Sequence, residues 1–396
     1  MIAEKMLKLG QSGSAIRDIA AYADARRSEI GGENVFDFSI GNPNTPAPEK
    51  VKNTLIELLE SSDSLALHGY TAAPGAMNAR IAAAAQESER AGYAIPPECV
   101  YLTSGASSSL AITLAALVRP GEKVAVLAPF FPEYRVFAEA AGAELVVVPP
   151  AGEDMQPFMA AFEAAVEDGV AAVIINSPNN PSGAILSEQT LRVMAKILKV
   201  AEEEQGKSIY LIADEPYREL VYGDAKVPFV PNFYENTIVC YSYSKSFSLP
   251  GERLGYIMVP PCVEDGKTVF AAVCGAGRAL GYVCAPSLMQ NMLAACADVR
   301  PDLSTYEKNR DLLYGELSGM GFECVKPDGA FYLFVKAPKG DSASEFCEKA
   351  KQFEIMLVPS DSFGVAGYAR LAYCVSEQTA KNSLPAFKKL SELYGL

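Results

Sequence analysis

Residues 241–256 read YSYSKSFSLPGERLGY, in which Lys245 stands among hydroxyls, a Pro-Gly turn follows, and Arg253 lies eight positions beyond the lysine. A lysine drawn out of water loses its proton more readily, and its free amine attacks aldehydes to give a Schiff base. The planar fork of Arg253, together with the hydroxyls of Ser242 and Ser244, suits a phosphate. A lone lysine beside a turn is more often a solvated surface group, so its meaning depends on what collects around it.

Three further polar groups follow apolar runs. CVYLT at 99–103 leads into Ser104-Gly105-Ala106-Ser107 and a helical pattern. The free N–H groups and positive end of such a helix attract an anion, although a serine cap accounts for the same residues. VAAVIIN at 170–176 leads into SPNNPSG, where Asn180 offers an amide beside the turn formers Pro181 and Gly183. IYLIAD at 209–214 ends in Asp214, with Tyr217 three residues later. A carboxylate at the tip of an apolar strand needs a cation or donor, unless it only caps a helix. An aldehyde-seeking lysine, a phosphate cradle and a carboxylate suited to a protonated ring nitrogen are together the requirements of pyridoxal 5′-phosphate.

The elements that must position these groups are legible as alternation. β-Branched runs at 99–103, 124–128, 144–148, 170–176, 209–214, 237–242 and 254–259 are mostly separated by helical patterns at 106–118, 131–142, 155–168 and 187–204. This predicts an α/β fold with a mainly parallel seven-stranded sheet covered by helices on both faces, ligands gathering at the carboxyl ends of the strands. Past residue 286 the pattern turns to longer helices, including 301–319 and a closing 376–394, with short strands at FECV, AFYLFV, IMLVP and ARLAYCV. The N-terminal part has a helix-like 13–28 and a strand-like VFDFSI before the Pro- and Gly-rich GNPNTPAPEK. The expected division is an N-terminal segment, 1–45, contributing to a small α+β domain, a large cofactor-binding domain, 46–290, and a C-terminal small domain, 291–396.

Composition narrows the partners. The 396 residues carry a formal charge of −14, which opposes binding to nucleic-acid backbones or anionic membranes. Nine cysteines without a CxxC pair suggest reduced, mostly buried thiols rather than a disulfide framework or a zinc site, and no metal is expected. The absence of a secretory pattern or a long apolar run predicts a cytoplasmic protein. One histidine, His68, leaves acid–base work to other groups; a structural or surface role is expected for it. No G-x-G-x-x-G follows the early strands, which argues against a dinucleotide-dependent dehydrogenase.

With S-x-S-K-x-x-x-x-P-G-x-R-x-G around Lys245, NNPSG, and the D-x-x-Y of Asp214 and Tyr217 in this order, the chain resembles the fold-type I, class I/II aminotransferases from Gly41 to Arg370. The resemblance implies that Lys245 carries the cofactor as a Schiff base and moves the proton. It implies that Asp214 pairs with the pyridinium nitrogen, while Asn180 and Tyr217 bind the phenolic oxygen. Ala106 and Ser107 after Gly105, with Ser242, Ser244 and Arg253, would hold the phosphate. Phe131 of PFFPEY would stack on the ring in place of the tryptophan some members carry. Tyr70 of HGYTAAPG would reach the neighbouring subunit's phosphate, implying a homodimer. Arg370 of YARLAY, with the backbone near Gly41, would grip the substrate α-carboxylate. Arg278 of GAGRALGY falls in the stretch where dicarboxylate-specific relatives carry an arginine for the distal carboxylate, although its local spacing differs from theirs; a surface or salt-bridged arginine is the other reading. The expected activity is transfer of an amino group from an L-amino acid to a 2-oxo acid. A pyridoxal-phosphate-dependent carbon–sulfur β-lyase, or a binding protein that keeps the cofactor fold without turnover, are the alternatives.

Overall fold

The computed structural model of the chain describes residues 2–11 and 15–396. Seven strands form its largest sheet: β2 (Val100–Thr103), β3 (Lys123–Leu127), β4 (Glu144–Val148), β5 (Val170–Asn176), β6 (Tyr210–Asp214), β7 (Thr237–Ser242) and β8 (Gly255–Met258). They follow β1 (Phe36–Asp37), and each lies within a residue or so of an apolar run expected from the sequence. The spatial order is β2-β8-β7-β6-β5-β3-β4. Only β8 runs against the others, pairing antiparallel with both β2 and β7. The β5 run VAAVIIN is buried at every position, as a strand covered on both faces requires.

Alternate residues serve opposite faces, as the pleat dictates. Val239, Tyr241, Tyr256 and Met258 pack on one side with helices Met77–Ala91 and Ser287–Cys296. Ile238, Cys240 and Ile257 pack on the other with helices Ala106–Leu117 and Gly266–Ala279. The helices Glu49–Ser61, Met77–Ala91, Gly266–Ala279 and Ser287–Cys296 are elements that periodicity did not single out.

The C-terminal part builds a four-stranded antiparallel sheet in the order β12-β13-β10-β9, from β9 (Cys324–Val325), β10 (Tyr332–Lys336), β12 (Val358–Pro359) and β13 (Tyr368–Ala372). Helices Ser304–Gly319 and Glu377–Tyr394 pack against it around a shared apolar cluster. The expected single strand IMLVP is divided: β11 (Ile355–Met356) pairs in parallel with β1, and β12 pairs with β13. The chain changes sheets at Leu357, so one local apolar run serves two ladders. The expected helix 13–28 appears as Ala15–Ile30, with 13 and 14 outside the described residues. Among the described residues no helix is long and apolar enough to cross a membrane, and no acidic, histidine and cysteine cluster could hold a metal. Four cysteines are buried, four half-buried, and Cys262 is exposed, so the expectation of mostly buried thiols holds only in part.

Candidate active site

The carboxyl ends of β2, β5, β6 and β7 share one edge of the sheet. Because β8 runs the opposite way, its beginning lies at that same edge, with Gly255 opposite both Thr103 and Ser242. This brings Arg253, two residues before Gly255, beside the first turn of helix Ala106–Leu117. Gly105 caps that helix with φ +87° and no side-chain cap, leaving the first-turn N–H groups open. A Cβ on Gly105 would come within 2.5 Å of an Arg253 Nη, so the close approach requires glycine there. Arg253 itself holds φ +54°, in the left-handed region.

Lys245 lies in the short helix Tyr243–Ser246, capped by the Ser242 hydroxyl, which accepts from the Ser244 N–H. Its Nζ donates to the Gly41 carbonyl at 2.8 Å, across 204 residues of sequence. Burial lowers the ammonium to about 8, and Arg370 and Arg253 push the same way, against the influence of Cys374. The hydroxyls of Ser242 and Ser244 are 2.7 Å apart, and Arg253 Nη1 donates to the Pro250 carbonyl at 2.7 Å.

Asp214 is buried at the end of β6. One carboxylate oxygen accepts from the Tyr134 hydroxyl, and the other has no protein partner. Burial raises this carboxyl to about 7, although the Tyr134 hydrogen bond acts the other way. Tyr134 escaped the reading of the sequence; its spacing three residues after Phe131 was the available signal, and the two rings meet edge-on at 5.8 Å. Tyr217 faces the same space, its hydroxyl 2.9 Å from that of Tyr332.

Arg370, on β13, is 2% exposed. Its Nη2 donates to the Ser39 carbonyl at 2.5 Å, Nη1 donates to Asn180 Oδ1 at 3.1 Å, and Nε has no partner. Asn180 is held in turn by Asn176, whose Oδ1 accepts from its backbone N–H at 2.7 Å. Among the described residues, none of Lys245, Arg253, Arg370 or Asp214 takes part in an ion pair. Three cations and one carboxylate thus face a common cavity without internal neutralisation, an arrangement that burial makes costly unless a ligand of complementary charge completes it.

The cavity measures about 290 Å³. Of the expected site residues, Gly41, Ala106, Ser107, Phe131, Asn180, Asp214, Tyr217, Ser242, Ser244, Lys245, Arg253 and Arg370 line it. The fold also brings in Ile16, Asn176 and Tyr332, which the sequence reading did not single out. Tyr70 is 102% exposed and lies outside its own chain's cavity. Arg278, at the exposed end of helix Gly266–Ala279, lies outside it too, and His68 is exposed.

Behind the turn that carries Asp214 and Tyr217 lies a buried charge network. Arg218 pairs with Glu87, lies 3.7 Å from the centre of the Tyr241 ring, and donates to the Tyr256 hydroxyl at 2.8 Å. Arg90 pairs with Glu215 at 2.7 Å. Glu87 and Arg218 have side chains 0% and 2% exposed, so the pair ties the 215–219 turn to helix Met77–Ala91 in the interior.

The profile of the family described as aminotransferase class I and II matches residues 33–387. The chain is 28% identical over 371 residues to the aromatic-amino-acid aminotransferase 2 of Thermococcus litoralis, covering 90% of this chain and 92% of that one. It is 28% identical over 357 residues to the aspartate aminotransferase of Thermotoga maritima, covering 89% and 90%. The crystal structure of an amino transferase from Eubacterium rectale superposes with a TM-score of 0.97 at 49% identity, over 100% of both chains.

Proposed function

The chain belongs to the class I and II aminotransferases, and from that premise we propose how its own residues hold the cofactor, bind the substrate and move the proton. The protein is a pyridoxal-phosphate-dependent transaminase, passing an amino group from an amino acid to a 2-oxo acid. The cavity residues fit that cofactor on grounds internal to the fold. The open first-turn N–H groups after Gly105, with Arg253 and the paired serine hydroxyls, offer a cradle for a dianionic phosphate. The free oxygen of Asp214 offers an anion for a protonated ring nitrogen, and Phe131 offers an aromatic face. Tyr217 and Asn180 supply donors for a phenolic oxygen.

When bound, the cofactor supplies an aldehyde carbon for the amino group and a sink for the electrons of the Cα–H bond. The chain's residues do the rest. Lys245 Nζ, lowered to about 8, is largely able to accept a proton in mildly alkaline water, and it takes the proton from the substrate Cα. Arg370 binds the α-carboxylate as a fork, held flat by Asn180 and the Ser39 carbonyl. Asp214 stays anionic once a cation faces it, and Tyr134 keeps its second oxygen from turning away.

Beyond these groups and Tyr332 the cavity's apolar lining includes Ile16 and Leu110, which supports an amino donor with an uncharged apolar or aromatic side chain. A second copy of the chain completes the site in this reading. Leu65, Tyr70, Met77 and Ile81 present an exposed apolar surface between 48% and 102% accessible, suited to a homodimer in which Tyr70 enters the neighbouring cavity. Nine unbridged cysteines support a reducing, cytoplasmic setting.

The observation that carries this assignment is the unneutralised set of three cations and one carboxylate. The test is a half-reaction screen of the amino acids, following loss of the visible band of the loaded protein and formation of the 2-oxo acid. Apolar and aromatic donors are expected to react fastest; a preference for aspartate and glutamate would instead assign Arg278 across the dimer. Lys245→Ala is expected to lose the visible band, and a wild-type protein that stays colourless with added pyridoxal phosphate would overturn the residue assignment.

A further inference from the structure

Tyr332, on β10, lies between the two halves of the cavity and touches both. Across the β10–β13 ladder Tyr332 pairs with Ala372 and Arg370 with Phe334, so Tyr332 and Arg370 are diagonal neighbours on one face. The Arg370 guanidinium sits over the Tyr332 ring at 4.8 Å, and the Tyr332 hydroxyl is 2.9 Å from that of Tyr217. Tyr332 is 2% exposed. A Cβ on Gly41 would overlap its hydroxyl, so the glycine leaves room for the ring to reach Tyr217. The carbonyl of Gly41 also accepts from Lys245.

Proton accounting decides what the hydroxyl does. A phenol has one proton to give and two lone pairs that accept. If Tyr217 gives its proton to the cofactor's phenolic oxygen, its bond to Tyr332 must run the other way, with Tyr332 donating. No second hydrogen-bond partner of the Tyr332 hydroxyl is seen among the described residues. Donation into Tyr217 polarises its O–H bond and strengthens its own donation, as in any hydrogen-bonded chain of hydroxyls.

We propose that Tyr332 is a positioning residue with two separable roles: its hydroxyl donates to Tyr217 and strengthens that residue's grip on the cofactor oxygen, and its ring holds the Arg370 guanidinium flat for the substrate carboxylate. The proposal rests on the cofactor and substrate contacts assigned to Tyr217 and Arg370. The other titratable groups around this point are Lys245, Arg253, Arg370, Asp214 and the Cys374 thiol, all unchanged in variants of Tyr332. A hydrogen bond to the phenolic oxygen favours its anionic form, so weakening that bond raises the pH at which the visible chromophore of the loaded protein titrates.

Two variants separate the roles, each studied as the pyridoxal-phosphate-loaded protein. Tyr332→Phe keeps the ring and loses the hydroxyl: the chromophore midpoint is expected to rise by about half a pH unit, with KM for the amino donor unchanged. Tyr332→Leu loses both: the midpoint rises likewise and KM increases about tenfold, the scale of a desolvated cation–π contact. Tyr332→Phe titrating like wild type would remove the hydroxyl's role, and Tyr332→Leu with a wild-type KM would remove the ring's. A wild-type protein that forms no visible chromophore would overturn the underlying site assignment instead.

Discussion

Asp214→Asn in the cofactor-free protein isolates the cost of the lone carboxylate. Burial raises Asp214 from 3.8 to about 7. The sign follows from proton binding: between about pH 4 and 7 the folded state keeps a proton that the unfolded chain releases. The contribution to stability is therefore intact below the unfolded value and is lost as pH rises through the folded one. The full displacement is worth ~4 kcal/mol, of which ~3 kcal/mol develops between pH 5 and 8. Asparagine occupies a similar volume and does not titrate, so the variant lacks this slope, while the contributions of Lys245 and the other groups cancel in the comparison.

With an unfolding entropy near 2 cal/mol/K per residue, ~3 kcal/mol in a chain of 396 residues corresponds to about 3–4 °C. The assay is thermal unfolding of both cofactor-free proteins from pH 5 to 8 at constant ionic strength. The melting-temperature difference is expected to move by about 3 °C in favour of Asp214→Asn as pH rises. Adding pyridoxal phosphate is expected to remove the wild type's disadvantage, because the carboxylate gains a cation. A difference that stays constant with pH would refute the claim that Asp214 is buried without a partner for its second oxygen.

The buried network behind the site predicts that Glu87→Ala destabilises by about 1–3 kcal/mol, since the Tyr256 hydroxyl and one Arg218 nitrogen lose their buried acceptor while Arg218 keeps Glu219 and Glu215; urea unfolding measures it, and a loss below ~0.5 kcal/mol would refute it. The exposed Tyr70 predicts complementation between defective chains. Mixing Lys245→Ala with Tyr70→Ala subunits, each poorly active alone, should restore about a quarter of wild-type activity through one complete site per mixed dimer. No gain on mixing would mean that Tyr70 serves no neighbouring site.

Much of the fold and half of the site chemistry are local properties. A buried parallel strand must be apolar along its whole length, so VAAVIIN and TIVCYS announce β5 and β7 without knowledge of their neighbours. Asp214 is legible because it ends such a run, and Lys245 and Asn180 because they lie in the polar turns just beyond the carboxyl ends of two others. Strands of two residues were less legible. The IMLVP stretch is uniformly apolar, and nothing within it says that the ladder changes at Leu357.

The chain by itself determined which residues could bind an aldehyde, a phosphate and a ring nitrogen, because residue type and strand-end position are written in order along it. Tertiary structure decided which of them meet. Lys245 reaches Gly41 across 204 residues and Arg370 reaches Asn180 across 190. Arg253 arrives at the right edge only because β8 runs antiparallel, and Tyr332 meets Arg370 only through the register of β10 with β13. Tyr134 closes the PFFPEY stretch and Tyr332 lies within an apolar strand, and the significance of both is a matter of contact. The missing ion pairs around the cavity are likewise invisible in sequence, since a charge is unpaired only with respect to everything packed around it.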